Sequence, residues 1–475
     1  NTFDYFIHKD PDAFLKRELD FFIKNEVMHL DDIEEDSAPR VESYLARIKA
    51  MRRISHKLIA FLAQLENFQR KLWLKKKFVL ETQWLITLDR VPESFYQEIC
   101  ETAELQVQGW DGRVRSQCQE WVELFGIDKI KNDLCGAVPY IAPLTIDFLK
   151  ANQFLVVDTA FFSKNFKDRL LANFDDIDHQ TNAVLVHGEN FQALNLFQTR
   201  LRNRARLIYI DPPYNTGTDD FIYKDNYSNS SWLSLMVDRL NASSELLEVG
   251  GIHAISLDST ESGNLGALFK TSVTGHIPIG EFVWKTRNTD NRVSTMFSTD
   301  HEYIHLYASQ GSPIEGRVID RTSFKNLDND ERGAYTTDPL TGKANYKDRP
   351  NLHYDIENLQ TGNVYKPDPD FGWITDKAGF NVLLKDRRIF WPKNPITGKP
   401  RKKRFLFEAN VRSPISSLGI KISQGEGNDD LSAKMGSKLI NFPKPISVIK
   451  SVVDACCPSD GLVVDYFAGS GTTGD

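Results

Sequence analysis

The spacing of apolar and polar residues divides the chain into two stretches with different predicted structures. In the first stretch, apolar residues recur every three or four positions between charged residues, from Phe14 to Val27 and again from Arg40 to Trp73. This period is typical of amphipathic helices. We therefore expect residues 1–170 to form a helical amino-terminal domain.

Short apolar runs alternate with helical patterns from about residue 180 onward. The predicted strands cover residues 184–187, 207–210, 252–257, 281–284, 302–307 and 461–465, and the predicted helices cover residues 191–200, 232–247 and 445–456. Strands that alternate with helices are typical of an α/β domain with a mostly parallel, doubly wound sheet. This is the predicted fold class of the second stretch.

The α/β pattern is interrupted between residues 311 and 435, where Asp, Asn, Gly and Pro are frequent. Such a composition predicts short elements joined by loops. We therefore expect an inserted region over 311–435 that separates two halves of the α/β domain, 171–310 and 436–475. The chain stops at Asp475 within a predicted strand-to-helix turn, so we expect the second half to be truncated.

The composition argues against several classes of protein. No apolar run approaches the roughly 18–20 residues that a membrane-spanning helix needs. The five cysteines have neither the spacing of a zinc site nor that of a disulfide framework, which favours a reducing cytoplasm. The net charge of −7 is a sum over the whole chain and does not describe the surface that a ligand meets.

Positive charge is concentrated between Lys385 and Arg404, where nine basic residues accompany a single acidic residue, Asp386. Aromatic residues, including Phe390 and Trp391, are interleaved with the basic ones. Such a stretch is either a solvated loop or a surface that contacts nucleic-acid phosphates. The candidate DNA-contacting residues are Arg401, Lys402, Lys403 and Arg404.

The sequence Asp211-Pro212-Pro213-Tyr214 follows the apolar strand predicted at 207–210. It therefore lies at the carboxyl edge of the sheet, where open α/β sheets bind ligands. Two prolines remove two backbone donors, so a carboxylate and carbonyl oxygens remain as acceptors beside an aromatic ring. Acceptors beside a stacking ring suit the exocyclic amine of a nucleobase that has left its helix.

A second motif, Phe467-Ala-Gly-Ser-Gly-Thr-Thr473, follows the strand predicted at 461–465. Its glycines let the backbone approach a ligand closely, and its exposed amides can hold a carboxylate. The motif lacks the Gly-Lys-Ser/Thr of a phosphate-binding loop and the third glycine of a dinucleotide-binding loop. By itself it predicts a ligand-binding turn of unspecified class.

Together the two motifs resemble those of the N6-adenine/N4-cytosine DNA methyltransferase family. The catalytic motif precedes the cofactor motif, as in the β arrangement of that family, and the likeness covers residues 180–475. It is greatest to the modification (Mod) subunits of type III restriction systems and related long methyltransferases. The resemblance implies a Rossmann-like fold that uses S-adenosyl-L-methionine, with an inserted target-recognition region.

The resemblance also implies roles for particular residues. It makes Asp211, Pro212, Pro213 and Tyr214 catalytic, and it assigns cofactor contacts to Asp465, Phe467, Gly469, Ser470, Gly471 and Thr472. Three piecewise matches add Glu189 near the adenosine of the cofactor, Phe442 and Lys444 near its methionine end, and Ser230-Ser231-Trp232 at the start of the helix after the catalytic loop. Asn215 is a candidate DNA contact. Glu189 could equally cap the helix that follows it. The family's acidic residue for the ribose would lie after Asp475.

Aspartate at the first catalytic position goes with adenine in this family, and serine with cytosine, so the implied reaction is methylation of adenine N6 in double-stranded DNA. The alternatives are an N4-cytosine methyltransferase, a non-catalytic DNA-recognition subunit, and an RNA methyltransferase. The expected setting is the cytoplasm of a bacterium with a restriction-modification or related phage-defence system. A restriction, helicase or other defence subunit is the expected partner, a homodimer is left open, and neither a membrane nor a metal ion is expected.

Overall fold

The structure is a computed structural model that describes residues 10–27, 38–75, 77–109, 113–130, 138–217, 227–286, 297–410, 412–418, 424–435 and 443–474. The chain forms two compact units. The first consists of Asn1–Pro313 with Ser416–Asp475, and the second of Ile314–Ile415.

Helices and strands alternate along most of the chain. The helices are α1 (Pro11–Phe22), α2 (Ala38–Trp73), α3 (Tyr96–Thr102), α4 (Gln117–Phe125), α5 (Ile146–Ala151), α6 (Lys164–Leu171), α7 (Ile177–Gln180), α8 (Asn190–Leu201), α9 (Asn229–Ser244), α10 (Ser259–Thr271), α11 (Lys377–Lys385), α12 (Gln424–Met435) and α13 (Ile446–Cys456). The strands are β1 (Leu85–Thr87), β2 (Val107–Gln108), β3 (Val114–Arg115), β4 (Val156–Asp158), β5 (Ala205–Ile210), β6 (Leu247–Leu257), β7 (Ile277–Lys285), β8 (His301–Ala308), β9 (Arg317–Val318), β10 (Tyr335–Pro339), β11 (Ile356–Asn358), β12 (Asn363–Tyr365), β13 (Ile389–Phe390), β14 (Arg401–Phe405), β15 (Arg412–Ser413) and β16 (Leu462–Val464). None of the helices in these described ranges is long and apolar enough to cross a membrane.

The amino-terminal part of the first unit mixes helices with short strands. Helices α1 and α2 pack together, and Arg52 pairs with Asp20 at 2.8 Å. A second core forms around Trp121, whose indole N–H donates to the carbonyl oxygen of Val156 over 2.6 Å. Helices dominate this region, as their periodicity predicts, but the strands β1–β4 are too short to give a periodic signal.

The central sheet of the first unit contains, among the described residues, five strands in the order β16–β5–β6–β8–β7. Strands β16, β5 and β6 are parallel neighbours. Strand β8 is antiparallel to both β6 and β7, so β7 has the same direction as β6. Trp232, Met236 and Leu240 of α9 pack in the core beneath β5. The prediction of an α/β fold with a mostly parallel sheet is confirmed, because only β8 is reversed in this set.

Two predictions about individual strands need correction. Residues 184–187 do not form the predicted strand, and Val184 and Leu185 are exposed. An apolar run becomes a strand only where a neighbouring strand takes up its backbone hydrogen bonds, and the described residues supply none here. The strand predicted at 302–307 does form, as β8, but in the antiparallel direction that local sequence does not encode.

The second unit is built from short elements and loops, as its composition predicts. Strands β10, β14 and β13 form a three-stranded antiparallel sheet among the described residues. Its core surrounds Trp373, whose indole N–H donates to the carbonyl oxygen of Tyr354 over 2.7 Å. Leu340, Ile356 and Phe380 complete this small core.

Candidate active site

Three acidic residues meet at one edge of the central sheet. Asp211 follows β5 and Asp465 follows β16, and because these strands are parallel their carboxyl ends lie at the same edge. Glu302 is the second residue of β8, whose antiparallel direction brings its amino end to that edge. The reversed strand therefore adds a carboxylate that a wholly parallel sheet would not place there.

The turn formed by Asp211 to Tyr214 is held by buried hydrogen bonds. Pro212 and Pro213 are buried, and Trp232 of α9 donates its indole N–H to the carbonyl oxygen of Pro213 over 2.8 Å. The following residue, Asn215, adopts a left-handed backbone with φ of 61°. These contacts fix the direction in which the catalytic motif leaves β5.

Asn215 joins the end of this turn to two other segments. Its side-chain amide donates to Glu261 Oε1 of α10 over 2.6 Å and to the carbonyl oxygen of Tyr227 over 3.0 Å, and it accepts from the amide of Tyr227 over 2.6 Å. Glu261 is almost fully buried. The side chain of Asn215 therefore stabilises the turn that follows β5, and its contact with DNA stays a prediction.

Lys444 lies between the two carboxylates beside the catalytic turn. Its Nζ is 3.1 Å from Asp211 Oδ1 and 3.4 Å from Glu302 Oε2, and it lies 4.7 Å from the ring centroid of Tyr214. Tyr214 donates its hydroxyl hydrogen to Glu302 Oε2 over 2.8 Å. Asp211 Oδ1 is inaccessible to solvent and has no hydrogen-bond partner in the described part of the chain, although Lys444 is close enough to form an ion pair.

The protonation of this group follows from its burial. Burial raises the pKa of the Asp211 carboxyl, Lys444 opposes that shift, and Glu302 adds to it. Burial lowers the pKa of the Lys444 amine, but Asp211 and Glu302 outweigh it and raise that pKa. Burial and both carboxylates raise the pKa of the Tyr214 phenol well above its usual value, so Tyr214 stays a neutral donor.

The glycine turn after β16 is held by Asp465. Its Oδ1 accepts from the amide of Phe467 over 2.9 Å and its Oδ2 from the hydroxyl of Thr473 over 2.6 Å. Burial raises the pKa of the Asp465 carboxyl to about 6, and these hydrogen bonds oppose the shift. The predicted cofactor contact is therefore a brace that spans the turn.

The backbone conformation of that turn favours glycine at two positions. Gly469 and Gly471 have φ of 52° and 78°, in the left-handed region that favours glycine. The Cβ position of Gly471 faces open space, with no other heavy atom within 4 Å. Ser470 and Thr472 join their hydroxyls over 2.7 Å. The turn presents backbone to an open region beside the sheet edge, as a ligand-binding loop requires.

The remaining predicted cofactor residues lie in different places. Glu189 caps α8 by accepting from the amide of Gln192 over 3.0 Å, and it pairs with Arg239 at 2.5 Å. The capping alternative is thus confirmed, and a contact with adenosine stays a prediction. Phe442 lies outside the described residues. Lys444 lies beside Asp211, and its expected position near the methionine end of the cofactor stays a prediction.

The basic stretch of the second unit is largely paired with acidic residues. Lys403 is buried, with its Nζ 2.5 Å from Asp328 and 2.9 Å from Asp330. Arg401 donates to the Thr337 hydroxyl over 2.8 Å. Because the side chain of Lys403 is buried within the second unit, it does not suit a phosphate contact. Lys402 and Arg404, its neighbours on β14, remain candidate DNA contacts.

Those neighbours lie on the other face of β14, because side chains alternate along a strand. Arg404 is exposed and pairs with Asp338 at 3.0 Å, whereas Lys402 is half-buried. Among the described residues no group of His, Cys, Asp and Glu side chains could hold a metal ion. His253 is fully buried, and burial lowers the pKa of its imidazole to about 3, so it belongs to the core.

Comparison with known proteins finds a family profile and several relatives that match the sequence of this chain. The profile of a family described as DNA methylase (N6_N4_Mtase) matches residues 205–475. The type III restriction-modification enzyme StyLTI Mod subunit of Salmonella typhimurium is 26% identical over 343 residues, which cover 63% of this chain and 51% of the relative. The EcoPI Mod subunit of Escherichia phage P1 is 28% identical over 365 residues, which cover 64% of this chain and 56% of the relative.

The chain therefore spans about half the length of these curated relatives. Among solved structures, the crystal structure of the M1.HpyAVI-SAM complex matches with 12% identity and a TM-score of 0.29, covering 61% of this chain and 84% of that one.

Proposed function

Because the chain belongs to the DNA methylase family whose profile it matches, we propose that it is a site-specific DNA methyltransferase that transfers a methyl group from S-adenosyl-L-methionine to N6 of adenine. The observation that carries this proposal is the Asp211 carboxylate at the end of β5, which pairs with Lys444 at 3.1 Å while its side chain keeps 28% of its surface exposed. The ring of Tyr214 lies 4.7 Å from the same ammonium group.

The lone pair of the adenine amine is delocalised into the ring, so the amine needs acceptors before it can act as a nucleophile. The Asp211 carboxylate accepts one N–H and the Pro212 carbonyl oxygen accepts the other, which favours a tetrahedral nitrogen. Tyr214 offers a stacking face to a base turned out of the helix, a contact worth about 1–3 kcal/mol. The nitrogen then forms a bond to the methyl carbon as the carbon–sulfur bond breaks, and the methylated amine releases one proton.

The residues around the glycine turn fit the cofactor. Gly469 and Gly471 leave the backbone accessible, Gly471 faces open space, and Asp465 keeps the turn in place. When bound, S-adenosyl-L-methionine supplies an electrophilic methyl group on its sulfonium. The choice of adenine follows the aspartate at position 211, since serine at this place goes with cytosine in the family.

The setting proposed is a bacterial restriction-modification system acting on double-stranded DNA in the cytoplasm. The matched relatives include Mod subunits of type III restriction-modification enzymes and type II methyltransferases, which supports a restriction-modification setting. The Mod subunits among them support a restriction subunit as partner. The second unit is proposed as the target-recognition region, with Lys402 and Arg404 as its candidate phosphate contacts.

Asp211→Asn tests the role of the catalytic motif. The substitution keeps the volume of the side chain and removes the negative charge that accepts a hydrogen bond from the adenine amine. We therefore expect methyl incorporation into DNA to fall about 10²-fold or more while DNA binding persists. Asp258→Asn is the matched control, because Asp258 follows the neighbouring strand β6 and caps α10, a role that asparagine also performs. Equal methylation by the two variants would show that Asp211 is not catalytic.

A further inference from the structure

Asp211 and Glu302 place two carboxylates at the same edge of the sheet, and Lys444 is the cation that contacts both. The side chains of Lys444 and Glu302 are 10% and 14% exposed, and that of Asp211 is 28% exposed. Like charges this close oppose each other's ionisation, and a cation between them restores it. Without Lys444 the pair would face each other with no compensating charge from that position.

The chain holds Lys444 in place by its backbone. Prolines on both sides restrict it, and the residue before Pro445 is confined to extended conformations. Gly427 of α12 lies so close to the carbonyl of Pro443 that a Cβ would collide with it. Asp430 of the same helix accepts from the first amide of α13 over 3.0 Å. The backbone at Lys444 is therefore more restricted than that of a lysine on a flexible surface loop.

We infer that Lys444 is a positioning residue for the proposed methyl transfer, whose ammonium keeps the Asp211 carboxylate charged and directed at the sheet edge while Glu302 holds Tyr214. The inference rests on the proposed function and goes beyond it, because it moves Lys444 from the cofactor to the acceptor side of the site. Lys444 pairs with Asp211 through Oδ1. A carboxylate has two oxygens and about four acceptor positions, so the same group can also accept from the amine of the target base.

The groups that face Asp211 determine how its ionisation responds to substitution. Lys444 favours the carboxylate, and Glu302 on β8 opposes it. Tyr214 donates to Glu302 and contributes a neutral hydroxyl. Tyr209 on β5 and Asp465 after β16 also interact electrostatically with Asp211. Lys444 is thus the cation among these groups, and its loss should raise the pKa of Asp211.

The test uses three variants: Lys444→Met, which keeps length without charge, Lys444→Arg, which keeps the charge, and the double variant Lys444→Met with Glu302→Gln. The first measurement is the pH profile of kcat/KM for methylation. We expect Lys444→Met to move the acid limb of this pH profile upward by about one to two pH units. Two neighbouring carboxylates without a cation between them raise the pKa of one of the two. Lys444→Arg should leave the limb in place, and the double variant should move it back.

A second readout does not require catalysis. A carboxyl whose pKa is raised by folding binds more protons in the folded state, so its contribution to stability is lost as pH rises toward the raised value. The unfolding free energy of Lys444→Met should therefore fall relative to wild type as pH rises above the wild-type pKa of Asp211, and the double variant should cancel that slope. If the stability slopes appear as expected but the wild-type protein does not methylate DNA, the electrostatic role of Lys444 between Asp211 and Glu302 is supported and the proposed function is overturned.

The inference is overturned if Lys444→Met methylates more slowly with an unmoved acid limb and an unchanged stability slope. It is also overturned if the only effect is weaker binding of S-adenosyl-L-methionine, because Lys444 would then be a cofactor contact.

Discussion

Trp232 donates its indole N–H to the carbonyl oxygen of Pro213 over 2.8 Å, and the tryptophan is fully buried in the core beneath β5. Helix α9 therefore carries the residue that orients the catalytic turn. Pro213 lies directly between the acceptor Pro212 and the stacking ring of Tyr214, so a shift of its carbonyl moves both.

Trp232→Phe should leave the Pro213 carbonyl without its donor. A buried acceptor without a partner costs about 1–3 kcal/mol, and we expect the unfolding free energy to fall by that amount beyond the loss of packing. Trp284→Phe is the matched control, because the Trp284 indole N–H is buried without a hydrogen-bond partner in the described residues. Chemical denaturation of both variants measures the difference. Equal losses would mean that the Trp232 hydrogen bond contributes nothing.

Asp465 predicts a pH dependence of cofactor binding. Burial raises the pKa of its carboxyl to about 6, and both of its oxygens act as acceptors only when the group is ionised. As pH falls through that value the brace gains a proton, so affinity for S-adenosyl-L-methionine should be nearly constant above pH 7 and roughly fourfold weaker at pH 5.5. Calorimetric titration between pH 5.5 and 7.5 checks this.

Asp465→Asn provides the control for that titration. The amide cannot ionise, so binding should be weaker at every pH and lose its dependence between pH 5.5 and 7.5. If the variant retains the wild-type pH profile, another group is responsible.

Alanine substitutions at two helical glycines, Gly427 and Gly263, distinguish the effect of close packing from that of helix propensity. Gly427→Ala places a methyl group against the carbonyl of Pro443, so it should displace the segment that carries Lys444 and lower both stability and methylation. Gly263→Ala in α10 meets no other heavy atom within 4 Å. It should gain about 0.5–1 kcal/mol in unfolding free energy from helix propensity. Thermal unfolding and methylation of the pair test this contrast, and a neutral Gly427→Ala would contradict the close approach.

Neighbouring lysines on β14 should have opposite roles. Lys403→Met leaves Asp330 buried with Arg332 as its remaining described partner, and breaking such a buried pair should cost about 3 kcal/mol in unfolding free energy. Lys402→Ala should change stability by less than about 0.5 kcal/mol. It should instead lower the slope of DNA affinity against salt concentration by about one. Denaturation and salt-dependent DNA binding distinguish the two, and the reverse pattern would contradict the strand orientation.

The sequence predicted what depends on local pattern. Strand β5 is buried along its whole length, and such a strand is recognisable as a continuous apolar run. Asp211 was placed at the carboxyl edge of the sheet because it follows this run, and the glycine motif was placed after a second apolar run that ends at Asp465. Parallel strands bring those ends together without any knowledge of side-chain contacts.

The parts that were missed depend on residues distant in sequence. Glu302 reaches the site only because β8 is antiparallel, a direction that its own residues do not specify. Lys444 contacts Asp211 through the packing of α12 and α13, and the motif match pointed instead to the cofactor. Trp232 matched the start of the family's helix after the catalytic loop, but that match did not indicate its hydrogen bond to Pro213. Glu261 carried no signal apart from helical periodicity.

The basic stretch shows the same limitation in its charge. Within residues 385–404 the sequence contains one acidic residue, but Asp328, Asp330, Asp338 and Glu408 lie outside that window and pair with its lysine and arginines. Charge summed over a window therefore overstated the free positive surface. The alternation of side chains along β14 decides which residues face outward.

The most direct test of the account is to identify the product. The protein is incubated with labelled S-adenosyl-L-methionine and unmethylated double-stranded genomic DNA, and the nucleosides are separated and identified by mass spectrometry. The account predicts labelled N6-methyladenine with the wild-type chain and its loss with Asp211→Asn. Labelled N4-methylcytosine would contradict the assignment of the base, and DNA that is bound without any methylated nucleoside would contradict the central claim of methyl transfer.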